Sequence, residues 1–398
     1  MDTPNARNFP GLSDVVRHVT AIRHDLHAHP ELGYEEHRTS SIVAAELTRL
    51  GIPHTPGLAG GTGVMAVIQG GLGQGPCVAL RADMDALPIL EASNLPYASK
   101  TPGKMHACGH DGHTAILLGA AALLQDLAPT FRGTVKLFFQ PAEEGGCGAD
   151  RMCNDGVLAN PKVDAVFGLH GWPGLKVGMA ATRAGALLAS VDGFTITITG
   201  RGGHAAAPAS TIDPIVCGAA IVQTLQTIIS REGDPSDAAV LTVSQFHAGT
   251  SFNVIPETAE LNGTFRALTP QRRVAIQESL ERIARSVAAA HRCTVAFVYY
   301  GTTPVTANTP ECAEFIAAVA RETLGDRAFA WAPQPAMWGE DFAFYLQHVP
   351  GCFFVLGVQP HDRTEYPMLH NPHYDFTDDA IPHGIRMMTN AALKFLAR

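Results

Sequence analysis

Residues 105–113 of the chain, Met-His-Ala-Cys-Gly-His-Asp-Gly-His, concentrate three histidines, a cysteine and an aspartate in one short segment. Thiolate and imidazole are good ligands for zinc-like ions. The glycines let the backbone bend, so Cys108 and His110 could face one ion. A polar loop with a helix cap is the alternative, but it suits a single histidine better than a cluster this dense. The segment therefore favours metal binding and leaves open which histidines are the ligands.

Two pairs of carboxylates follow predicted strands. Asp83 and Asp85 stand at the end of one strand, where they could bind a metal or orient a ligand histidine; a turn carrying aspartate explains them equally well. Glu143 and Glu144 are adjacent after another strand, so one could bind a metal while the other holds a water molecule. Taken alone, the glutamate pair is better explained as an acidic helix start.

Two isolated histidines become candidate metal ligands only in combination with these residues. His170 stands at a predicted strand end, and His370 lies in a Leu-His-Asn-Pro segment. In an open parallel sheet, ligands bind beyond the carboxyl ends of the strands, which gives these dispersed residues one meeting point. The chain has no Gly-x-Ser-x-Gly, His-Glu-x-x-His or Gly-Lys-Ser/Thr motif. Serine-hydrolase, single-zinc protease and NTPase functions therefore lack motif support.

The elements that must position these residues follow two patterns. Apolar segments of strand length alternate with helical segments in the first and last parts of the chain, which predicts an α/β domain with a largely parallel sheet. In between, residues 194–199 alternate strictly between apolar and polar, and the order becomes β-α-β-β-α-β, a ferredoxin-like unit. We predict a catalytic domain in two parts, residues 1–186 and 303–398, interrupted by an inserted α+β domain, residues 187–302.

Length and composition exclude several classes of protein. A chain of 398 residues, 46% of them hydrophobic, predicts a globular protein of two domains. Its net charge is -9 and it shows no cluster of lysine or arginine, which argues against nucleic-acid binding. No apolar run approaches the ~18 residues of a membrane span. The N-terminus lacks the features of a signal peptide, so we expect a cytoplasmic protein with no membrane partner.

The chain resembles the M20 metallopeptidase superfamily, specifically its amidohydrolase branch of hippurate hydrolases, N-acyl-amino-acid amidohydrolases and auxin-conjugate hydrolases. The family commonly has Met-Gly-Ser-Glu-Asp-Phe where this chain has Met337-Trp-Gly-Glu-Asp-Phe342, and Trp338 could change the shape of the site. The matching segments span nearly the whole chain in the family's order: Arg23-His-Asp-Leu-His-x-His-Pro-Glu-Leu32, residues 81–88, Cys108-Gly-His-Asp-Gly-His113, Gln140-Pro-Ala-Glu-Glu144, Gly168-Leu-His170, Gly200-Arg-Gly-Gly-His204, Asn253-Val-Ile-Pro256, Gly339-Glu-Asp-Phe342 and His370-Asn-Pro372.

The resemblance implies a fold and a metal site. The fold would be a zinc-peptidase-like α/β catalytic domain with a mixed, largely parallel sheet, plus a ferredoxin-like lid and dimerisation domain. Two divalent ions would be bound per subunit, zinc or manganese, with nickel or cobalt also suited to such ligands. Cys108 would bridge the ions, and Glu143 would be the general base and later the proton donor. The implied ligands are Cys108, His110, Glu144, His170 and His370, supported by Asp83, Asp85 and Asp111.

The resemblance also implies substrate contacts and a partner. His204 would reach into the site of a second subunit and stabilise the oxyanion, while Asn253 and Arg266 would anchor a substrate carboxylate. An incidental histidine in a glycine-rich turn and a solvated strand arginine are the alternatives. The protein would be a homodimer, or a tetramer, that hydrolyses N-acyl amino acids of the hippurate type. A dipeptidase or carboxypeptidase, a non-catalytic relative that binds metal or a small acid, and a purely structural protein are the other hypotheses.

Overall fold

The structure, a computed structural model, describes residues 9–398, and the chain divides into two compact units. The first unit runs to Leu187 and resumes at Ala307–Gln334 and Asp341–Arg398. The second comprises Leu188–Thr306 and Pro335–Glu340. Among the described residues, no helix combines the length and apolar character that a membrane crossing needs.

The helices and strands follow one another along the chain in this order. Up to the unit boundary they are α1 (Leu12–Ala28), α2 (His37–Arg49), β1 (His54–Leu58), β2 (Gly63–Gln69), β3 (Cys77–Asp83), α3 (His110–Leu127), β4 (Thr134–Gln140), α4 (Gly148–Asn154), β5 (Ala165–Lys176), β6 (Ala180–Thr182) and β7 (Gly185–Leu188). Then come β8 (Val191–Thr199), β9 (Gly203–His204), α5 (Pro214–Arg231), β10 (Ala239–Ala248), β11 (Val254–Ile255), β12 (Thr258–Ala267), α6 (Pro270–Ala290) and β13 (Thr294–Thr303). The last are β14 (Thr306–Asn308), α7 (Pro310–Leu324), β15 (Phe329–Trp331), α8 (Ala343–Leu346), β16 (Gly351–Gln359) and α9 (Ile381–Leu396).

The first unit is built on a mixed sheet with the strand order β1-β2-β4-β3-β5-β16-β6-β15. Its central strands β4, β3, β5 and β16 are parallel to one another. Strands β1 and β2 add antiparallel on one side, and β6 pairs antiparallel with β16 on the other. The prediction of an α/β fold with a mixed, largely parallel sheet is confirmed.

The centre of this sheet is buried because helices cover it. Every residue of β3, β4 and β16 is buried, as expected for strands with apolar side chains on both faces. Helix α3 is buried from His110 to Leu124 and packs against α1, α9 and β3. A helix that is apolar nearly all round belongs inside a domain. The candidate metal ligands near its first turn are therefore held by a rigid element.

The second unit contains an antiparallel sheet with the order β10-β12-β8-β13. Helices α5 and α6 pack on this sheet through a core that includes Phe194, Ile221, Phe265 and Leu280. Each helix begins at a side-chain cap followed by proline: the Asp213 carboxylate accepts backbone N–H groups of α5, and the Thr269 hydroxyl accepts one of α6. The elements follow the order β8-α5-β10-β12-α6-β13.

Candidate metal centre

The turn before α3 depends on Gly109. Its φ of 89° is in the left-handed region, and an added Cβ would lie 2.9 Å from the Tyr374 hydroxyl. Both the conformation and the space therefore require glycine. The turn directs the buried side chains of Cys108 and His110 towards His170, with the Cys108 Sγ 3.3 Å from the His170 Nε2.

Two groups of potential ligand atoms share Cys108. One consists of Cys108, His110 and His170, and the other of Cys108, Glu144 and His370. Within each group the ligand atoms all lie within 4.8 Å of one another. The His370 Nε2 lies 3.1 Å from the Glu144 Oε1. The structure thus brings all five predicted ligands to one place, with the thiol common to both groups.

His170 does not stand at a strand end, so that expectation was wrong. Strand β5 continues to Lys176, because β16 pairs with it past His170. Pairing with β3, however, stops at Gly168 opposite Arg81, so the carboxyl end of β3 still lies level with His170. The His170 Nδ1 donates to its neighbour's carbonyl oxygen at 2.8 Å, which leaves the Nε2 lone pair directed at Cys108.

His110 and His113 differ in what their ring nitrogens contact. The His113 Nδ1 donates to the Asp83 carboxylate at 2.6 Å, and its Nε2 accepts the Gly171 N–H at 2.8 Å. Both nitrogens of His113 are therefore already used. The His110 Nδ1 lies 3.2 Å from the Asp85 Oδ1, while its buried Nε2 has no hydrogen-bond partner within residues 9–398. This orphaned nitrogen beside a thiol and a carboxylate fits a bound cation.

The charges around this pair of groups also fit a cation. Burial alone would lower the pKa of His110, but Asp83, Asp85 and Glu144 raise it to about 10. Burial raises the pKa of the Cys108 thiol well above its usual range, and Glu144 adds to the effect. A divalent ion would displace protons from both groups and balance the same carboxylates. The donor set of thiolate, imidazole and carboxylate suits zinc-like ions.

Asp85 orients two of the candidate ligands. Its Oδ2 accepts the Glu144 N–H at 2.9 Å, and its Oδ1 faces the His110 ring. Asp83 is held by Arg81 and His113 instead. Burial would raise the pKa of Asp83, but His110 and Arg81 lower it well below its usual value. Of the two roles left open by the sequence, the contacts of these carboxylates favour orientation.

Asp111 contacts two residues of helix α1. Its Oδ2 accepts from the Arg23 Nε at 2.8 Å and lies 2.9 Å from the His27 Nδ1. Burial would raise the pKa of Asp111, but Arg23 and His27 lower it far below its usual value. Asp111 was predicted to support the metal site, but its contacts with Arg23 and His27 were not predicted.

Glu143 stands beside the candidate ligands. One of its carboxylate oxygens lies within 4.8 Å of ligand atoms of His110 and Glu144. The Asp341 N–H donates to the Glu143 Oε1 at 3.4 Å. A carboxylate at this distance from a metal site is placed to take a proton from a nearby water molecule.

The loop that carries Glu143 is held by residues to which the sequence assigned no such role. Ala142 has a φ of 53°, and its N–H donates to the buried Glu36 Oε1 at 2.8 Å. Asp341 accepts from the Arg81 Nη2 at 3.0 Å and from the Gln140 Nε2 at 2.8 Å. No local pattern announces Glu36, because its partner lies more than a hundred positions away in the chain.

His204, Asn253 and Arg266 all lie in the second unit. His204 pairs with Val254 across the β9–β11 ribbon, and the Asn253 carbonyl accepts the N–H of the residue after His204. The His204 Nδ1 accepts the Ala206 N–H at 3.0 Å, so a neutral ring carries its proton on Nε2, as a donor. Arg266 is half-buried on β12, and burial lowers its pKa. Their approach to the metal ligands stays a prediction.

Comparisons with known proteins identify the family of this chain. The model of Peptidase family M20/M25/M40 matches residues 79–394. The chain is 43% identical over 393 residues to the IAA-amino acid hydrolase ILR1-like 2 of Arabidopsis thaliana, covering 98% of this chain and 87% of the relative. It is 37% identical over 388 residues to the hippurate hydrolase of Campylobacter jejuni, covering 98% and 99%.

A solved structure shows the same fold. The Bacillus subtilis YXEP protein, described as a dinuclear metal binding peptidase from the M20 family, superposes with a TM-score of 0.83 and 35% identity. The match covers 97% of this chain and 99% of that one. The chain belongs to Peptidase family M20/M25/M40, in its amidohydrolase branch.

Proposed function

We propose that the protein is a dinuclear metal-dependent amidohydrolase that cleaves the amide bond of N-acyl amino acids, with hippurate-like aromatic acyl groups preferred. The observation that carries the proposal is the pair of ligand groups sharing Cys108, with Glu143 beside them. The relatives named as hydrolases of IAA-amino acids and of hippurate support this substrate class.

In this proposal, two divalent ions, zinc or manganese, would be held by Cys108, His110, Glu144, His170 and His370. When bound, they would supply Lewis-acid chemistry that polarises the substrate carbonyl and activates a water molecule. Glu143 accepts a proton from the water and later returns it to the leaving amine. The Asp341 N–H keeps the Glu143 carboxylate in place for both transfers.

The second unit would supply the remaining contacts. The His204 Nε2–H would donate to the oxyanion, in the site of the partner subunit if the protein is a homodimer. Arg266 and Asn253 would bind the free carboxylate of the amino acid, since a guanidinium fork matches a carboxylate. The homodimer and the cytoplasmic location both stay predictions.

The test is hydrolysis of a panel of N-acyl amino acids and short peptides, followed as released amine. Native protein, chelator-stripped protein and protein reloaded with zinc, manganese, nickel or cobalt would be compared. We expect activity to vanish on stripping and to return with metal, with aromatic acyl groups turned over fastest.

Glu143→Gln provides the mechanistic control. Because the amide cannot accept the proton, we expect a loss of at least about 100-fold in kcat with unchanged metal content. Activity equal to wild type would remove Glu143 as the base. Faster turnover of free dipeptides would move the assignment to a dipeptidase. Folded, metal-loaded protein that cleaves no member would favour the non-catalytic hypothesis.

A further inference from the structure

One of the five candidate ligands differs from the other four in its surroundings. His370 is half-exposed and has a φ of 65°, whereas Cys108, His110 and His170 are buried. It belongs to residues 370–378, a stretch with neither α-helix nor strand that is here termed the His370 segment. Its backbone N–H donates to the Ala107 carbonyl at 2.8 Å. A side chain this exposed is not fixed by its own packing, so its position depends on what anchors the segment.

The first anchor of the His370 segment is the fully buried ring of Phe376. The ring lies against three glycines: a Cβ at Gly109, Gly112 or Gly171 would come within 2.9, 2.5 or 2.6 Å of it. Gly109 and Gly171 each adjoin a candidate ligand in the sequence. Any side chain at these glycines would push the ring out, so the glycines and the phenylalanine fit as a set.

The second anchor is the buried guanidinium of Arg23, on helix α1. Its Nη2 donates to Asp375 and its Nη1 donates to Asp378 at 2.9 Å. Its Nε donates to Asp111 at 2.8 Å, directly after the ligand His110. One planar fork therefore ties two residues of the His370 segment to the first turn of α3, a geometry that lysine cannot reproduce.

We propose that Phe376 and Arg23 are positioning residues for His370. They set the affinity for the ion bound by Cys108, Glu144 and His370, and much less the affinity for the ion bound by Cys108, His110 and His170. This inference rests on the two-metal site of the proposed function.

The expected difference between the two ion affinities follows from the structural element on which each ligand lies. His170 sits inside the paired strand β5, and His110 opens the buried helix α3. Those elements keep their places through the sheet and the core. His370 lies on a segment with neither α-helix nor strand. That segment is held by the two anchors, by the buried Tyr374 and by backbone hydrogen bonds, including one at His370 and one in which the Pro372 carbonyl accepts the Ala92 N–H.

The experiment titrates zinc into metal-stripped full-length protein against a competing chelator and fits two stepwise affinities. For Phe376→Leu and Arg23→Lys we expect one ion bound as in wild type and the other weakened about 10- to 100-fold, the usual effect of losing support around a ligand. Cobalt-loaded protein gives a second readout: the absorption of the second equivalent should change and that of the first should persist.

Two glycine variants in one helix give a matched comparison. In Gly112→Ala the new methyl group would lie 2.5 Å from the Phe376 ring, and in Gly119→Ala it would lie 2.4 Å from the Ile385 Cδ1, away from the site. We expect Gly112→Ala to weaken one ion and Gly119→Ala to leave both affinities unchanged. Arg273→Gln, which removes the two-bond ion pair with Asp192 in the second unit, is the control for Arg23→Lys.

The outcomes separate this inference from the proposed function. A wild-type protein that binds fewer than two ions would remove the two-metal site itself. Wild type with two ions, and variants whose affinities are unchanged or fall equally for both ions, would overturn the positioning role alone. Thermal unfolding of each metal-free variant identifies any that do not fold. Phe376→Leu and Arg23→Lys are conservative substitutions, so their metal affinities decide whether the positioning role holds.

Discussion

At the scale of single residues, His27 lies buried between two carboxylates. Its Nδ1 is 2.9 Å from Asp111 and its Nε2 is 3.3 Å from Glu91. Burial alone would lower the pKa of His27, but Asp111 and Glu91 raise it to about 9. The unfolded pKa is about 6.5, so protonated His27 stabilises the folded state fully below that pH. The contribution is lost as the pH rises through about 9.

The His27→Gln substitution should therefore make the free energy of unfolding depend less on pH. We expect the variant to be less stable than wild type by on the order of 3 kcal/mol below pH ~6.5, and the gap to close by pH ~9. Thermal unfolding with a chelator present would measure the gap without a contribution from metal binding. A gap that stays constant between these pH values would mean that His27 is neutral in the folded protein.

Asp85 gives a prediction for the metal site. Because its carboxylate serves both the His110 ring and the Glu144 N–H, Asp85→Asn can satisfy only one of them as an acceptor. We expect metal affinity to fall about 10- to 100-fold, measured by competition with a chelator. Asp164→Asn is the matched control, since Asp164 accepts the Cys77 N–H at 2.8 Å at the opposite end of β3. Equal effects of the two variants would show a general loss of stability.

Residue types reveal only part of such a site. The cluster at 105–113 pointed to metal because thiol and imidazole groups are dense there, but it did not separate His110 from His113. That distinction depends on Asp83 of β3 and Gly171 of β5, which both lie outside the 105–113 segment. Glu36 gave no signal at all, because it contacts its partner only through the tertiary fold. Arg23 lies in a segment that matches the family, but its contact with Asp111 depends on the tertiary fold and was not predictable.

At the scale of elements, central strands were predictable and edge strands were not. Strands β3 and β4 are continuous apolar runs buried at every position. Strand β1 reads His-Thr-Pro-Gly-Leu and is largely exposed, a composition that normally indicates a turn. Strand β5 exceeds its apolar run because β16 pairs alongside it, so its end is set by a neighbour and not by its own sequence.

Asp341 joins several elements and gives a prediction at this scale. It accepts from Gln140 at the end of β4, from the Ala149 N–H at the start of α4, and from Arg81 of β3. An amide has one acceptor oxygen, so Asp341→Asn leaves buried donors unpaired, at a cost of about 1–3 kcal/mol. We also expect a lower kcat, because the Asp341 backbone positions Glu143.

Chemical denaturation and steady-state kinetics would check both effects. Asp213→Asn serves as the control, because Asp213 likewise accepts backbone N–H groups at a helix start and asparagine is an equally good cap there. If Asp341→Asn were as stable and active as wild type, the hydrogen bonds of this carboxylate would have no role in holding the loop.

At the scale of the whole molecule, the predicted site residues are divided between two units. All five candidate metal ligands belong to the first, while His204, Asn253 and Arg266 belong to the second. The change of hydrophobic pattern near residue 187 predicted an insertion. The return of Pro335–Glu340 to the second unit has no such signal: it depends on Gly339, where a Cβ would come within 2.0 Å of the Val191 side chain.

This division predicts where metal stabilises the protein. An ion that binds only the folded first unit adds about 2.7 kcal/mol of stability at a free concentration about 100 times its Kd. Hydrogen–deuterium exchange with and without zinc should therefore show slower exchange in peptides from α3, β4 and β5, with the β8–β12–β13 sheet unchanged. The Glu143→Gln protein should respond like wild type, because Glu143 is not among the ligands, whereas Cys108→Ala should lose the response. Equal slowing in both units would contradict the assignment of all metal ligands to the first.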